Sequence, residues 1–225
     1  MISVFEDPEE SEDFYALGCG TTSIEEEDPD PLMVFGGKTG SIKVINIVTR
    51  EYFDLPGHAG MDIYAFKVHS INKELIFSAS KDESVRLWNL REKVLIAIFA
   101  DNNPNRFSAL TIDVHAEGLT MTSAGHDSII RVWNLYNPLV VDAVDRSFTA
   151  PRPDNGKTFE HAYISEPIFS SSAVHQGLMV DCVRYLGEHA LVTKSIDNAI
   201  KVWTPDAERF PVRTLYYRSI NLLIY

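Results

Sequence analysis

A histidine, two serines and an aspartate within one stretch of this chain have the residue types of a nucleophilic triad. They are His58, Ser78, Ser80 and Asp82, and Trp88 follows them. If these side chains meet in space, they can either activate a serine for attack on a carbonyl or form a buried hydrogen-bonded network. A buried aspartate beside a tight turn needs donors, and an imidazole N–H, a serine hydroxyl and the indole N–H can supply them. We therefore predict a structural chain His58–Ser78 or Ser80–Asp82–Trp88 and no catalytic residue.

Two other stretches carry residue types that are used in catalysis, but their spacing is unsuitable. Gly37–Thr39 could end a phosphate-binding loop, yet that pattern needs a glycine where Leu32 stands and a helix where residues 41–44 have a strand pattern. His126–Ser128 are neighbours along the chain, so their side chains point apart and cannot relay a proton.

The seven histidines lack the paired spacing of a zinc site, and neither cysteine belongs to a CxxC pair. We predict no metal and no cofactor.

Four nine-residue segments align with one another without gaps, which identifies an internal repeat. Each begins with an aspartate or a threonine, continues with a lysine or arginine between apolar residues, and has an apolar anchor near its end. The segments are 39–47, 82–90, 127–135 and 197–205, with the anchors Ile45, Trp88, Trp133 and Trp203. The anchors stand roughly 45 residues apart, except that the last interval is about 25 residues longer. This period is typical of WD-type repeats, and the last interval indicates an insertion.

The unit around Trp88 shows how one repeat can fold. Residues 84–88 alternate polar and apolar, as a strand with one buried face does. We predict three further strands at 63–68, 75–80 and 94–99. Four short antiparallel strands joined by turns form one blade of a β-propeller. The predicted fold class is therefore all-β, a WD-repeat β-propeller.

The same pattern divides the chain into four blades and three other segments. The blades are predicted at 14–53, 57–100, 106–142 and 179–206, with a rim insertion at 143–176, an acidic segment at 1–13 and an apolar tail at 207–225. The insertion is polar and rich in proline, so we predict that it contains no strand pair.

The second blade alone has every member of the predicted network in its sequence. The third and fourth blades retain part of the set, namely Asp127, Trp133, Ser195, Asp197 and Trp203. The first blade has Thr39 and Ile45 at the corresponding positions. We expect these three blades to be held more by apolar packing.

The net charge of −12 is concentrated at the start of the chain. Residues 1–31 hold eleven acidic side chains and no lysine or arginine, so the remainder, with 21 acidic and 20 basic side chains, is nearly neutral. A nearly neutral body has no basic footprint for a nucleic-acid backbone. No apolar run approaches the ~20 residues of a membrane helix. We expect neither a nucleic acid nor a membrane as a direct partner.

Several short stretches have sequences that are more specific than those of a generic WD repeat. They are Ser78–Asp82, Val85–Leu90, Ile96–Phe99, Ile164–Ser170 with His175, Val180–Gly187 and Lys194–Ile200. These stretches resemble the embryonic ectoderm development or extra sex combs family, the WD-repeat subunits of Polycomb repressive complex 2. The match includes the insertion, whose sequence generic WD repeats do not share. The resemblance covers residues 12–206 and implies four blades of a seven-bladed ring.

The resemblance implies a nuclear scaffold that supports transcriptional repression together with other Polycomb subunits. Family members bind a helix of the enhancer-of-zeste methyltransferase in a groove on the underside of the propeller. On the other face, an aromatic cage holds a trimethyl-lysine of a histone tail through cation–π contacts. One cage tyrosine of the family aligns with Val114, and valine offers no π face. We therefore expect complex membership more than reading of methyl-lysine.

Two alternatives remain open at the level of sequence. One is a generic WD-repeat adaptor, such as a substrate receptor of a ubiquitin ligase, because the blades alone do not specify a partner. The other is a truncated, non-functional form, since exposed blade edges invite unwanted pairing.

Overall fold

The computed structural model describes residues 11–23, 27–102, 108–151, 158–197 and 199–205, and the backbone of 213–216. Within these residues the strands form four sheets. Each sheet has four antiparallel strands, and one of the sheets has a fifth strand in addition. The sheets are four blades of a β-propeller, which confirms the predicted fold class. Most of the predicted acidic segment 1–13 and of the predicted tail 207–225 lies outside the described residues.

Blades one and two follow the strand pattern of the sequence closely. Blade one contains β1 Phe14–Thr21, β2 Pro31–Gly37, β3 Ile42–Asn46 and β4 Tyr52–Leu55. Blade two contains β5 Ile63–Val68, β6 Leu75–Ser80, β7 Val85–Asn89 and β8 Val94–Phe99. These strands are short apolar or alternating runs between turn residues, which explains why the sequence predicted them well.

Blades three and four use the same architecture with longer connections. Blade three contains β9 Ala109–Val114, β10 Thr120–Gly125, β11 Ile130–Asn134 and β13 Phe169–Ser171. Blade four contains β14 Val180–Leu186, β15 Ala190–Ser195, β16 Ala199–Trp203 and β17 Arg213–Tyr216. The helix α1 Pro138–Thr149 and the strand β12 Ala162–Ile164 lie between β11 and β13 in the chain.

The segment between β11 and β13 packs mainly on blade two. Asn137 caps α1 by accepting a hydrogen bond from the backbone N–H of Leu139 at 3.0 Å, and Pro138 begins the helix with a suitable φ. The helix contacts β8 and β12. Strand β12 pairs in parallel with β8, so that blade two has five strands. The chain then returns to blade three, where β13 pairs antiparallel with β11.

The predicted limits of the third and fourth blades therefore differ from the structure. Residues 138–142 start a helix because of the Asn137 cap, so the outer strand of blade three comes from residues 169–171, inside the predicted insertion 143–176. That insertion contains two short strands, which do not pair with each other but with β8 and β11. Residues 213–216, predicted to belong to the tail, complete blade four by pairing with β16.

Apolar layers between successive blades form the core. The layer between blades one and two includes Val44 and Trp88, and the next layer includes Leu87 and Trp133. A third layer between blades three and four includes Trp203. Each fully buried large side chain in such a layer stabilises the fold by about 1.5–3 kcal/mol. Among the described residues, no helix has the length and apolar character that crossing a membrane requires.

Candidate functional site: buried networks and surface grooves

Blade two contains a continuous hydrogen-bonded chain of four buried or partly buried side chains. Nδ1 of His58 lies 2.8 Å from Oδ2 of Asp82, and Nε2 of His58 lies 2.7 Å from Oγ of Ser78. The indole N–H of Trp88 donates to the same Oγ at 2.9 Å. Because the indole can only donate, the Ser78 hydroxyl accepts from Trp88 and donates to the imidazole. The order is therefore Asp82–His58–Ser78–Trp88, which differs from the predicted order.

The same geometry places a serine, a histidine and an aspartate in the order of a nucleophilic triad. Ser78 and His58 have no exposed surface, so no substrate can reach the hydroxyl. Burial lowers the pKa of His58, which keeps the imidazole neutral and able to donate from Nδ1 while accepting at Nε2. Burial opposes the ionisation of Asp82, but hydrogen bonds from His58 and Ser84 and the charge of Arg86 lower its pKa to about 2. The arrangement is a structural network.

Asp82 also ties the β6–β7 turn to the chain before β5. Arg86 donates from Nη2 to Oδ2 of Asp82 at 2.8 Å and from Nη1 to the carbonyl of Gly57 at 2.7 Å. Ser80 lies outside the chain of four, because its hydroxyl donates to the carbonyl of Asp62 at 2.8 Å. It accepts the backbone N–H of Asp82 at 3.2 Å, so it supports the turn.

In blade three, no described histidine joins the network, and Arg131 stands at the position of Arg86. Trp133 donates its indole N–H to Oγ of Ser123 at 2.9 Å, as Trp88 does to Ser78. Arg131 pairs with Asp127 at 2.7 Å and also contacts Asp101, which follows blade two. The guanidinium thus holds two carboxylates and links blade three to the end of the preceding blade.

Blade four has a network that the sequence analysis only partly identified. Nε2 of His175 lies 2.8 Å from Oγ1 of Thr193, which accepts the indole N–H of Trp203 at 3.1 Å. Nδ1 of His175 lies 3.8 Å from a carboxylate oxygen of Asp197. Ser195, a predicted member, instead accepts the backbone N–H of Asp197 at 3.5 Å. A signal was available, because His175 precedes its hydroxyl partner by 18 residues and His58 precedes Ser78 by 20.

The remaining motifs with catalytic residue types have structural roles. Lys38 pairs with Asp13 at 3.3 Å, and the next secondary-structure element is the strand β3 rather than the helix of a phosphate-binding loop. His126–Ser128 form part of the turn between β10 and β11. In the part of the chain that the structure describes, no group of three His, Cys, Asp or Glu side chains could hold a metal ion.

In each blade, the turn that follows the first strand (β1, β5, β9 or β14) lies on one face of the propeller, which we call the lower face. Three contacts join these turns from blade to blade: Thr21 N–H to the Lys73 carbonyl at 3.1 Å, His69 Nε2 to the Gly118 carbonyl at 3.3 Å, and His115 Nε2 to the Glu188 carbonyl at 3.1 Å. All blades therefore present the same end to this face. The opposite face, which contains the turn before β5, is called the upper face.

A groove of about 490 Å³ opens on the lower face between blades three and four. Its lining includes Leu119, Ile168 and Tyr185. The hydroxyl of Tyr185 lies 2.9 Å from Oγ1 of Thr120, and burial raises the pKa of Tyr185 to about 12. The ring of His115 packs edge-on against Tyr185 at 5.1 Å. The groove thus combines a firmly held aromatic wall with exposed aliphatic side chains.

A second groove, of about 790 Å³, opens on the lower face between blades one and two. Arg50, Arg91 and Lys93 line it together with Tyr52 and Phe53. The ammonium of Lys93 lies 4.2 Å from the centroid of the Phe53 ring, a cation–π contact. This groove can accept apolar side chains flanked by carboxylates.

Comparisons with known proteins connect these features to one group. The WD domain, G-beta repeat family matches residues 49–89. The chain is 34% identical over 207 residues to the Polycomb group protein FIE2 of Zea mays, covering 91% of this chain and 52% of that protein. It is 32% identical over 206 residues to the Polycomb protein esc of Drosophila virilis, covering 91% of this chain and 47% of that protein. The chain is a homologue of the Polycomb WD-repeat proteins.

Solved structures agree with this relationship. The chain superimposes on a subunit of the Chaetomium thermophilum polycomb repressive complex 2 with a TM-score of 0.70 and 26% identity, covering 88% of this chain and 38% of that chain. A related structure of that complex contains H3K27me3. This Polycomb homologue spans about half the length of the relatives that it matches.

The position that was aligned with a cage tyrosine is not on a surface of this Polycomb homologue. Val114 is 5% exposed and belongs to the apolar layer between blades two and three. It stands at the end of β9, next to the turn to the lower face. Val114 therefore contributes to packing between these blades, and its equivalence with a cage tyrosine of the family stays a prediction.

Two stacked aromatic residues are accessible near the upper face. Tyr15 and Tyr64 stack with their ring centroids 6.2 Å apart and an interplanar angle of 14°. Tyr15 is 49% exposed, and the hydroxyl of Tyr64 donates to Asp62 at 3.3 Å. Burial and the charge of Asp62 raise the pKa of Tyr64. The sequence pattern that could have indicated this pair is a tyrosine at the second position of the first strand in two consecutive blades.

Proposed function

We propose that this chain is a non-catalytic scaffold of a Polycomb-type histone methyltransferase complex, which acts in the nucleus in transcriptional repression. The observation that carries the proposal is the pair of grooves on the lower face. A helix with an apolar stripe can bury its side chains in such grooves, which is a recurring mode of peptide recognition. The proposed occupant is a helix of an enhancer-of-zeste methyltransferase.

The chemistry of the two grooves indicates how such a helix is oriented. Leu119 and Ile168 offer apolar contact between blades three and four. Arg50 and Lys93 offer positive charge between blades one and two. A helix that places its apolar residues over the first groove and its acidic residues over the second matches both.

Affinity purification of the tagged chain from nuclear extract, followed by mass spectrometry, tests this proposal. Recovery of an enhancer-of-zeste methyltransferase with other Polycomb subunits supports it. Recovery of ubiquitin-ligase subunits would instead establish the generic adaptor, and recovery of chaperones alone would establish a non-functional form. Both of these outcomes overturn the proposal.

A variant in the groove makes the test site-specific. Ile168 is 61% exposed in the groove between blades three and four, so Ile168→Glu should abolish recovery of the methyltransferase without unfolding the chain. Met61 is 47% exposed at the turn before β5, on the upper face, and Met61→Glu serves as the matched control. Equal recovery with both variants would exclude this groove as the docking site.

The Tyr15–Tyr64 pair supports a second role, binding of a methylated histone tail. A quaternary ammonium group can rest on the tyrosine faces, and the carboxylate of Asp62 adds an attraction for the positive charge. In a fluorescence titration, a trimethyl-lysine histone peptide should bind more tightly than the unmodified peptide, and Tyr15→Ala should remove the difference. Equal binding of both peptides by the unsubstituted chain would contradict this role.

A further inference from the structure

Two histidines on the lower face make the same pair of contacts. His69 follows β5 and His115 follows β9, so each begins the turn after the first strand of its blade. Nδ1 of His69 accepts the backbone N–H of Asn72 at 3.1 Å, and Nδ1 of His115 accepts that of Glu117 at 3.3 Å. Because Nδ1 accepts a hydrogen bond, each neutral ring carries its proton on Nε2 and donates from there.

The Nε2 bond of each histidine crosses to the following blade. His69 donates to the carbonyl of Gly118 at 3.3 Å, and His115 donates to the carbonyl of Glu188 at 3.1 Å. Gly118 has a φ of +69°, and a Cβ at this position would lie 2.5 Å from Cε1 of His69. The imidazole therefore occupies the place of a side chain in the next turn. This repeated geometry indicates that the rings hold neighbouring turns at a fixed separation.

His115 joins the two walls of the groove between blades three and four. The turn that it begins supplies Glu117 and Leu119 to one wall, and the turn between β14 and β15 supplies Glu188 and His189 to the other. His115 itself lines the groove but is only 7% exposed. The bond from its Nε2 to the Glu188 carbonyl therefore connects the walls directly.

The wall of blade four is fixed to blade three more firmly at Tyr185 than at Glu188. The hydroxyl of Tyr185 lies 2.9 Å from Oγ1 of Thr120, and its backbone N–H donates to Asp113 at 2.7 Å. The side chains of Glu188 and His189 are exposed. Within the part of the chain that the structure describes, residues 187–189 make one hydrogen bond to blade three, and His115 donates it. The position of this turn thus depends on the imidazole.

We infer that His115 is a positioning residue for the groove between blades three and four, and that its Nε2–H sets the separation of the two walls. The inference rests on the proposed function, because it assigns a role within the proposed docking groove. A wall that is already held in place need not be ordered when a helix binds, so a preorganised groove binds more tightly.

Two substitutions separate the roles of the two ring nitrogens. His115→Gln retains a side-chain N–H close to the position of Nε2, which can still reach the Glu188 carbonyl. His115→Asn retains an acceptor close to the position of Nδ1 for the Glu117 N–H, but it is too short to reach Glu188. Both variants lose the contact of the ring with Tyr185, so a difference between them reports the bond across the groove.

Surface plasmon resonance with a purified enhancer-of-zeste methyltransferase measures the effect on docking. His115→Asn should bind about tenfold more weakly than the unsubstituted chain, and His115→Gln should stay within about threefold of it. Equal affinities of the two variants would overturn the inference. Ser123→Ala is the control for a general loss of stability, because it removes the partner of the Trp133 indole in blade three. It should leave the affinity unchanged, and a tenfold loss with this control would also overturn the inference.

A measurement on the chain alone keeps the inference separate from the proposed function. Spin labels are attached to cysteines introduced at Leu119 and His189, on opposite walls, after Cys19 and Cys182 have been replaced by serine. Electron paramagnetic resonance should give a narrow distance distribution with His115 or His115→Gln and a broader one with His115→Asn. Failure of the unsubstituted chain to bind the methyltransferase would overturn the proposed function alone. Equal distance distributions in all three chains would overturn the inference, whatever the binding result.

Discussion

Asn89 donates a hydrogen bond from its side-chain amide to the hydroxyl of Ser147 at 3.0 Å, across 58 residues of chain. Both side chains are fully buried. The Ser147 hydroxyl in turn donates to the carbonyl of Val144 at 2.7 Å, and the amide oxygen of Asn89 accepts the backbone N–H of Glu92 at 3.0 Å. Asn89, the residue after the Trp88 anchor, therefore fixes α1 to blade two. The bond uses the amide N–H as donor, and the aspartate that is usual at this position of WD repeats has no such donor.

Asn89→Asp should destabilise the chain by about 1–3 kcal/mol or more, because it places a carboxylate without a matching donor in a buried site. The free energy of unfolding in urea measures the loss. Asn134 stands at the same place in blade three, where its side-chain oxygen accepts from the backbone of Tyr136 and where it is only half-buried. Asn134→Asp should therefore cost much less, and equal losses for the two variants would contradict the role of the amide donor.

Ser78→Ala should be more damaging than the equivalent change in blade three. Ser78 satisfies both Nε2 of His58 and the indole N–H of Trp88, so its removal leaves two buried polar groups unpaired. The expected loss is about 2–4 kcal/mol, against about 1–3 kcal/mol for Ser123→Ala, which leaves only the indole of Trp133 unpaired. Thermal and urea unfolding of both variants compare the two losses. If Ser123→Ala costs as much as Ser78→Ala, the hydroxyl does not serve two partners.

Stability should fall as the pH decreases below about 6.5. Burial lowers the pKa values of His58 and His175, so the unfolded chain takes up protons in this range while the folded chain does not. Each histidine therefore lowers the stability of the folded chain only at pH values below the pKa that it has in the unfolded chain. Measuring the free energy of unfolding from pH 7.5 to 5 checks the sign, and His58→Gln should reduce the slope. A chain that becomes more stable on acidification through this range would contradict the assignment.

A second loss should follow at lower pH. The pKa of Asp82 is about 2, below the ordinary 3.8, so this carboxylate stabilises the fold by about 2 kcal/mol above pH 4. That contribution disappears as the pH falls from about 4 toward 2, because the unfolded chain takes up the proton near the ordinary pKa while the folded chain does not yet do so. Asp82→Asn should lack this step in an acid titration followed by circular dichroism.

The strands of blade two could be predicted from the sequence because each is a short run of mostly apolar residues between turn residues, and β7 in addition alternates in polarity. The order within the network could not, since Ser78 and Ser80 lie on the same side of β6 and both have a hydroxyl. The position of the Trp88 indole decides between them, and that position depends on the packing of blade one against blade two. Alternation along one strand contains no information about that packing.

Contacts between distant parts of the chain also limited the prediction of the blades and the site. The outer strand of blade three comes from residues 169–171 because α1 intervenes, and no local pattern specifies which edge a three-residue strand will complete. The burial of Val114 could not be predicted for a related reason. Gapless alignment back from Trp133 transfers a position along the chain, but it does not reveal which face of the blade the side chain occupies.

The strand β12 has a consequence for the way the chain folds and comes apart. Repeat proteins usually gain stability only from neighbouring units, so their ends can unravel one repeat at a time. Here the parallel pairing of Ile164 with Phe99 joins blade two to a segment that follows the first three strands of blade three in the chain. Blade two cannot be completed until the ribosome has synthesised these three strands and α1. The two central blades should therefore form one cooperative unit, and loss of structure should begin at the outer blades.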